Sequence, residues 1–96
     1  MYNHFDQQRE VDDDAKNVAN AMRGQIEAAM NTRFPIWIPT KFCTRIGDGT
    51  DYRIKIKVGD NDKYIHVKIN KPMSGLGGDQ LRLLTYVGGK VYTDPI

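Results

Sequence analysis

The sequence predicts an α+β fold in which one long N-terminal helix is wrapped by an antiparallel sheet of four to five strands. Three observations predict it. From Asp12 to Met30 the apolar residues recur every three or four positions. Beyond Pro35 they recur every second position. Each alternating stretch has one apolar face, and the helix is the element available to cover it.

The helical stripe consists of Ala15, Val18, Ala19, Met22, Ile26 and Ala29. Asp12, Asp13 and Asp14 stand at its start, where carboxylates cap free N–H groups and face the positive end of the helix dipole. Asn31 and Thr32, followed by Phe34-Pro35, end it. Gly24 lies inside the pattern at a cost of ~1 kcal/mol against alanine, and a small residue there is expected to let the helix sit close to the sheet. Ile36, Trp37 and Ile38 begin the first long strand, with Pro39 as a bulge or edge irregularity. Tyr52, Ile54, Ile56 and Val58 alternate with Arg53, Lys55 and Lys57. Gly59 to Asp62 has turn chemistry. Ile65, Val67 and Ile69 then alternate with Tyr64, His66, Lys68 and Asn70, and a last strand runs from Leu81 through Tyr86.

Ninety-six residues make one domain, 1–96, because so short a chain cannot build two cores. With 40% hydrophobic and 27% charged residues it is expected to fold rather than stay disordered. A net charge of +2 is too small for a dedicated nucleic-acid binder. No apolar run approaches the ~18 residues of a membrane span, so no membrane partner is expected. The start lacks the apolar core of a secretory signal, and Met1 has the look of an initiator. One cysteine, Cys43, excludes an internal disulfide. A soluble cytoplasmic protein is the simplest expectation.

Against this background the chain resembles the stefins, the intracellular branch of the cystatins, which inhibit papain-like cysteine proteases. The segments that carry the resemblance are NVANAMRGQIE, the RFP after it, GTDYRIKIKVGDN, YIHVKI and the closing TDPI. They stand in order and at nearly constant spacing, and the run from Gly49 to Asp60 is the most specific. The resemblance implies a cystatin-like, five-stranded sheet wrapped around the helix, no enzymatic activity, no cofactor, and papain-like proteases such as cathepsins as partners. It implies a reversible, non-covalent plug made of three parts: an N-terminal arm, a central hairpin and a second hairpin. The central hairpin of stefins reads Gln-x-Val-x-Gly; here the segment is Arg45, Ile46, Gly47, Asp48 and Gly49.

Gly49 keeps the motif, Arg45 replaces glutamine and Gly47 replaces valine. Loss of the valine forfeits about 1.5 kcal/mol of apolar burial, and the added glycine freedom costs roughly 0.5–1 kcal/mol more. Asp48 must lose water in a closed cleft unless a donor meets it. At about tenfold per 1.4 kcal/mol, a cleft suited to the ordinary loop binds this one a few hundredfold more weakly. The alternative is that Arg45 and Asp48 match charges on one particular protease. On spacing alone, the Asp-Gly pair is a common hairpin turn.

The arm, Met1 to Phe5, has no glycine, and Asn3 falls about where one is expected. Tyr2, Asn3 and His4 are its candidate contacts, Tyr2 and Phe5 can supply apolar contact, and a frayed terminus is the plain counterpart. In the second hairpin, KPMSGLGGD, Pro72 and Met73 come nearest to the apolar-proline tip, in reversed order.

Other chemistry is weaker. Cys43 with His66 as base lacks an orienting third group, and Cys43 sits in a strand pattern where a small buried hydrophobe is common. His4, His66 and Cys43 do not share metal-ligand spacing, so no metal is expected. Lys41, Arg53, Lys55, Lys57, Lys68 and Arg82 are expected to gather on the outer sheet face. That face keeps the protein soluble in the ordinary account. It would also serve a second reading, in which a stefin-fold module has lost inhibition and binds another protein or a polyanion. A monomer is expected, and exchange of strands hinged at the glycine-containing loop would give a domain-swapped dimer.

Overall fold

The computed structural model describes residues 4–73 and 80–96. Within them the elements are β1 (Arg9–Glu10), α1 (Asp13–Met30), β2 (Ile38–Gly47), β3 (Gly49–Gly59), β4 (Lys63–Lys71) and β5 (Arg82–Lys90). The strands form one antiparallel sheet in the order β1-β2-β3-β4-β5, with α1 packed on one face.

α1 begins as its acidic start predicts. The Asp12 side chain accepts from the Ala15 N–H at 2.8 Å, and Asp13 and Asp14 occupy the first turn. Asn31 ends it in the left-handed conformation, φ 53°, which asparagine tolerates better than most residues. The end is also tied to the loop that follows. Arg23 donates to the Phe34 carbonyl at 2.8 Å, and Glu27 accepts from the Phe34 N–H at 3.0 Å.

Ala15, Val18, Ala19, Met22 and Ile26 are buried against Phe42, Tyr52, Ile54, Ile56, Val58, Ile65, Val67 and Ile69. Two expectations on the helix fail. Ala29 is exposed, because the 3.6-residue period carries it past the edge of the buried stripe, and the half-buried residue there is Met30. Gly24 does not sit against the sheet: it is exposed, and a Cβ placed on it would meet nothing within 4 Å. Gly24→Ala is therefore expected to stabilise the fold by about 0.5–1 kcal/mol, read as a higher urea midpoint at unchanged slope.

β2 and β3 pair along their length, with a register shift between Pro39 and Lys41 at the irregularity the proline predicts. β3 and β4 join through Asn61 and Asp62, both at φ 62°. β5 runs beyond Tyr86 to Lys90. The Gly88-Gly89 pair does not break it, because the register shift between Tyr64 and His66 takes up the irregularity, with Gly89 at φ 67°.

The outer face of the sheet carries the expected basic residues. Lys41 lies opposite Lys55, Arg53 opposite Lys68 and Arg82 opposite Asn70. This face is not uniformly solvated. Lys55 is 1% exposed, and its Nζ donates to the Tyr92 carbonyl and lies 5.0 Å from the Tyr92 ring centre. The segment after β5 crosses here, fastened by Tyr92 N–H to Asp62 at 2.9 Å. Burial lowers the Lys55 ammonium pKa, which Asp94 partly restores.

The candidate inhibitory rim

Three segments meet at one end of the sheet. The first is the tip of the β2–β3 hairpin. Strand pairing continues to Gly47 opposite Gly49, so Arg45 and Ile46 belong to β2 and only Asp48 lies between the strands. Gly49 has φ 90°, and a Cβ there would overlap the Lys71 carbonyl oxygen and lie 2.9 Å from Pro72 Cα. Glycine is required on both counts, by the backbone angle and by the approach of the neighbouring chain.

That neighbour is the second segment, where β4 ends at Lys71 and continues into Pro72 and Met73. Thr50 pairs with Lys71, which sets this exit beside the tip. Ile46, Pro72 and Met73 line a groove of about 380 Å³ floored by Thr50 and Tyr52. Ile46 is 71% exposed and Met73 72%, so two large apolar side chains stand in solvent on this edge.

The third segment is the N-terminal arm. The Asp6 N–H donates to the Thr44 carbonyl at 2.8 Å, and the Asp6 carboxylate accepts from the Thr44 N–H at 2.8 Å and hydroxyl at 3.0 Å. Burial would raise the Asp6 carboxyl pKa, but these bonds and Arg9 hold it below the ordinary range. The arm thus lies along β2, with Asp6 at Thr44 and the Phe5 ring against Arg45, short of the hairpin tip.

Below the tip, the cross-strand pair Arg45–Asp51 closes at 2.7 Å, and Asn70 donates to Asp51 at 2.8 Å. Burial opposes ionisation of Asp51, but these two donors outweigh it and keep its pKa low. Arg45 is thereby held against its own sheet. On the helix side, the Tyr52 hydroxyl donates to Asp14, and Lys71 lies 3.3 Å from the same carboxylate. The Tyr52 bond, with Lys71 second among the partners, lowers the Asp14 pKa. The helix start is thus bolted to the strand ends that carry the rim.

Arg45, Ile46, Gly47, Asp48, Gly49, Pro72 and Met73 are brought to this edge, and His4 is exposed next to Phe5 in the arm. Tyr2 and Asn3 lie outside the described residues, as does 74–79 of the second hairpin. Cys43 is 3% exposed, and burial raises its thiol pKa, the opposite of an activated nucleophile. Among the described residues no group of three or more His, Cys, Asp or Glu side chains is arranged to hold a metal ion. None of the described helices is long and apolar enough to cross a membrane.

Sequence reasoning missed Asp6, Asp51 and Asn70, and it read Phe5 as an apolar contact of the arm without its place among Arg45, Arg53 and Lys68. Asp51 and Asn70 carried a usable signal, since both face outward on paired strands, Asp51 opposite Arg45 and Asn70 opposite Asp51. Asp6 carried none, and neither did the seat of Phe5 on the sheet, because their partners lie far along the chain.

No protein-family profile matches the chain. It is 31% identical to human Cystatin-B over 68 residues, covering 64% of this chain and 68% of that protein. It is 26% identical to Cystatin-B of Paralichthys olivaceus over 87 residues, covering 91% and 87%. To Stefin-C of Bos taurus it is 30% identical over 64 residues, covering 59% and 62%. These relatives, together with a helix packed on a five-stranded antiparallel sheet, place the chain in the stefin family of cystatins.

Proposed function

We propose that this protein is a reversible, non-covalent inhibitor of papain-like cysteine proteases of the cathepsin type. The observation that supports this most is the convergence of the arm, the central hairpin and the Lys71–Met73 exit on one edge, with Ile46 and Met73 exposed there. A narrow edge of backbone and apolar side chains suits a cleft. It fills the groove, excludes water from the protease nucleophile and needs no chemistry of its own. In this reading the protein works in the cytoplasm as a monomer. Opening the Gly47–Gly49 turn for strand exchange would straighten the tip and remove the wedge.

Titration of papain and several cathepsins, reading residual activity on a small substrate, tests the proposal. Inhibition constants in the nanomolar range, lost when residues 45–49 are replaced by an unrelated turn, are expected. Absence of inhibition at tens of micromolar overturns it. Size exclusion at two concentrations separates the monomer from an exchanged dimer.

The second reading uses the basic outer face. It is disfavoured by the cover on that face: Lys55 is buried under Tyr92, and Arg45 and Arg53 are engaged with Phe5.

A further inference from the structure

Phe5 turns onto the outer face of the sheet and not towards the helix. Its ring centre lies 3.9 Å from Arg53 Cζ, 4.7 Å from Arg45 Cζ and 5.4 Å from Lys68 Nζ. Arg53 and Lys68 are direct cross-strand partners, an arrangement of like charges that costs stability by itself. Among the described residues neither forms an ion pair with a carboxylate. The electron-rich face of an aromatic ring is the group that relieves such a pair without adding a charge. Arg45 closes the third side, and its position is fixed by Asp51 at 2.7 Å. One residue further on, Asp6 binds the backbone and hydroxyl of Thr44.

We propose that Phe5, bracketed by Arg45, Arg53 and Lys68, is the anchor that docks the N-terminal arm beside the central hairpin before any protease arrives, and that Arg45 is a positioning residue for the arm. This deepens the inhibitor reading, and its protease arm rests on that reading. A docked arm has lost its conformational freedom in the free protein, so less ordering cost falls on the complex. The same contact gives Arg45 an internal task, which the family's glutamine at this position could not perform as a cation.

The anchor is read in the free protein by hydrogen exchange. Phe5→Ala is expected to speed exchange of the Asp6 and Thr44 amides at least tenfold, while the Val11 amide, bonded to the Thr40 carbonyl at 3.1 Å, changes less than twofold. Phe5→Tyr keeps the ring and is expected to retain protection; Phe5→Leu keeps apolar bulk alone and is expected to fall between. Arg45→Gln speeds Asp6 exchange severalfold in the native background and adds little in Phe5→Leu, because the two act as a unit. Unchanged exchange in Phe5→Ala, or effects of Phe5→Leu and Arg45→Gln that multiply independently, overturns the anchor.

Against papain, Phe5→Ala is expected to raise the dissociation rate about tenfold with association changed less than about threefold. Unaltered dissociation overturns the arm's contribution to the complex. Failure of the unmodified protein to inhibit papain removes the inhibitor reading, while the exchange measurements still decide the anchor.

Discussion

Gly49→Ala is expected to weaken inhibition of papain by at least about a hundredfold and to lower folding stability by about 2–3 kcal/mol. The two effects share one cause. At φ 90° an L-residue is strained, and the new methyl collides with the Lys71 carbonyl and crowds Pro72 Cα. Those are backbone atoms at the exit of the neighbouring strand, so no side-chain rotation relieves the overlap. Either the central tip or the Lys71–Met73 segment must move, and the single edge is lost. The rest of the sheet remains paired, and the variant keeps its far-ultraviolet circular dichroism with a lower midpoint. Gly47→Val is expected in the opposite direction, about tenfold tighter, because it returns roughly 1.5 kcal/mol of apolar burial to the plug. Inhibition constants and urea unfolding of both variants check the pair of outcomes. Equal inhibition by Gly49→Ala and the native chain would show that the contact between the central tip and the Lys71–Met73 exit does not matter.

The second large effect concerns acid. Burial lowers the His66 pKa to about 4 from 6.5, with Lys55 of β3 and Lys90 of β5 acting in the same direction and Asp94 of the C-terminal segment opposing them. Arg53 and Lys68 line the same hollow, and the buried His66 Nε2 finds no hydrogen-bond partner among the described residues. The folded state therefore resists a proton that the unfolded chain accepts. Stability from this group is complete above pH 6.5 and is lost as pH falls towards 4.

The full shift corresponds to about 3 kcal/mol, and the partly open site reduces the expected loss to about 2 kcal/mol. Asp6, Asp14 and Asp51 have lowered pKa values. Their contribution is present above the ordinary carboxylate range and disappears only below it, so the histidine window stands apart. Urea unfolding between pH 7 and 4 is expected to show the loss in the native chain and to flatten in His66→Gln. An equal slope in the variant would assign the acid sensitivity to other groups.

Much of the fold was legible because its signals are local. Asp12 caps the helix at the position the aspartate run indicates, Asn31 closes it, and the alternation from Tyr52 to Val58 sets the buried face correctly. What stayed hidden depends on distant chain. Lys55 alternates outward and carries a charge, so it reads as solvated; its burial follows from the crossing of Tyr92 and Asp94. β1 has two residues, too few to show a period. At the rim, Gly49 was visible as a motif position. Its collision partner, Lys71, becomes apparent only when Thr50 is known to pair with it. Arg45 looked like a residue aimed at a partner because the sequence does not reveal Phe5 beside it, and because the register that sets Asp51 opposite it, though legible in the hairpin, was not followed through.

The most direct test of the rim is hydrogen exchange of the whole chain with and without papain at saturating concentration. New protection at 45–49, at 71–73 and along the arm from residue 4 to 10, with exchange unchanged at the end of α1 and across the Tyr92 segment, is the predicted result. Protection concentrated on the outer basic face, with the hairpin tips exchanging as in the free protein, would contradict it.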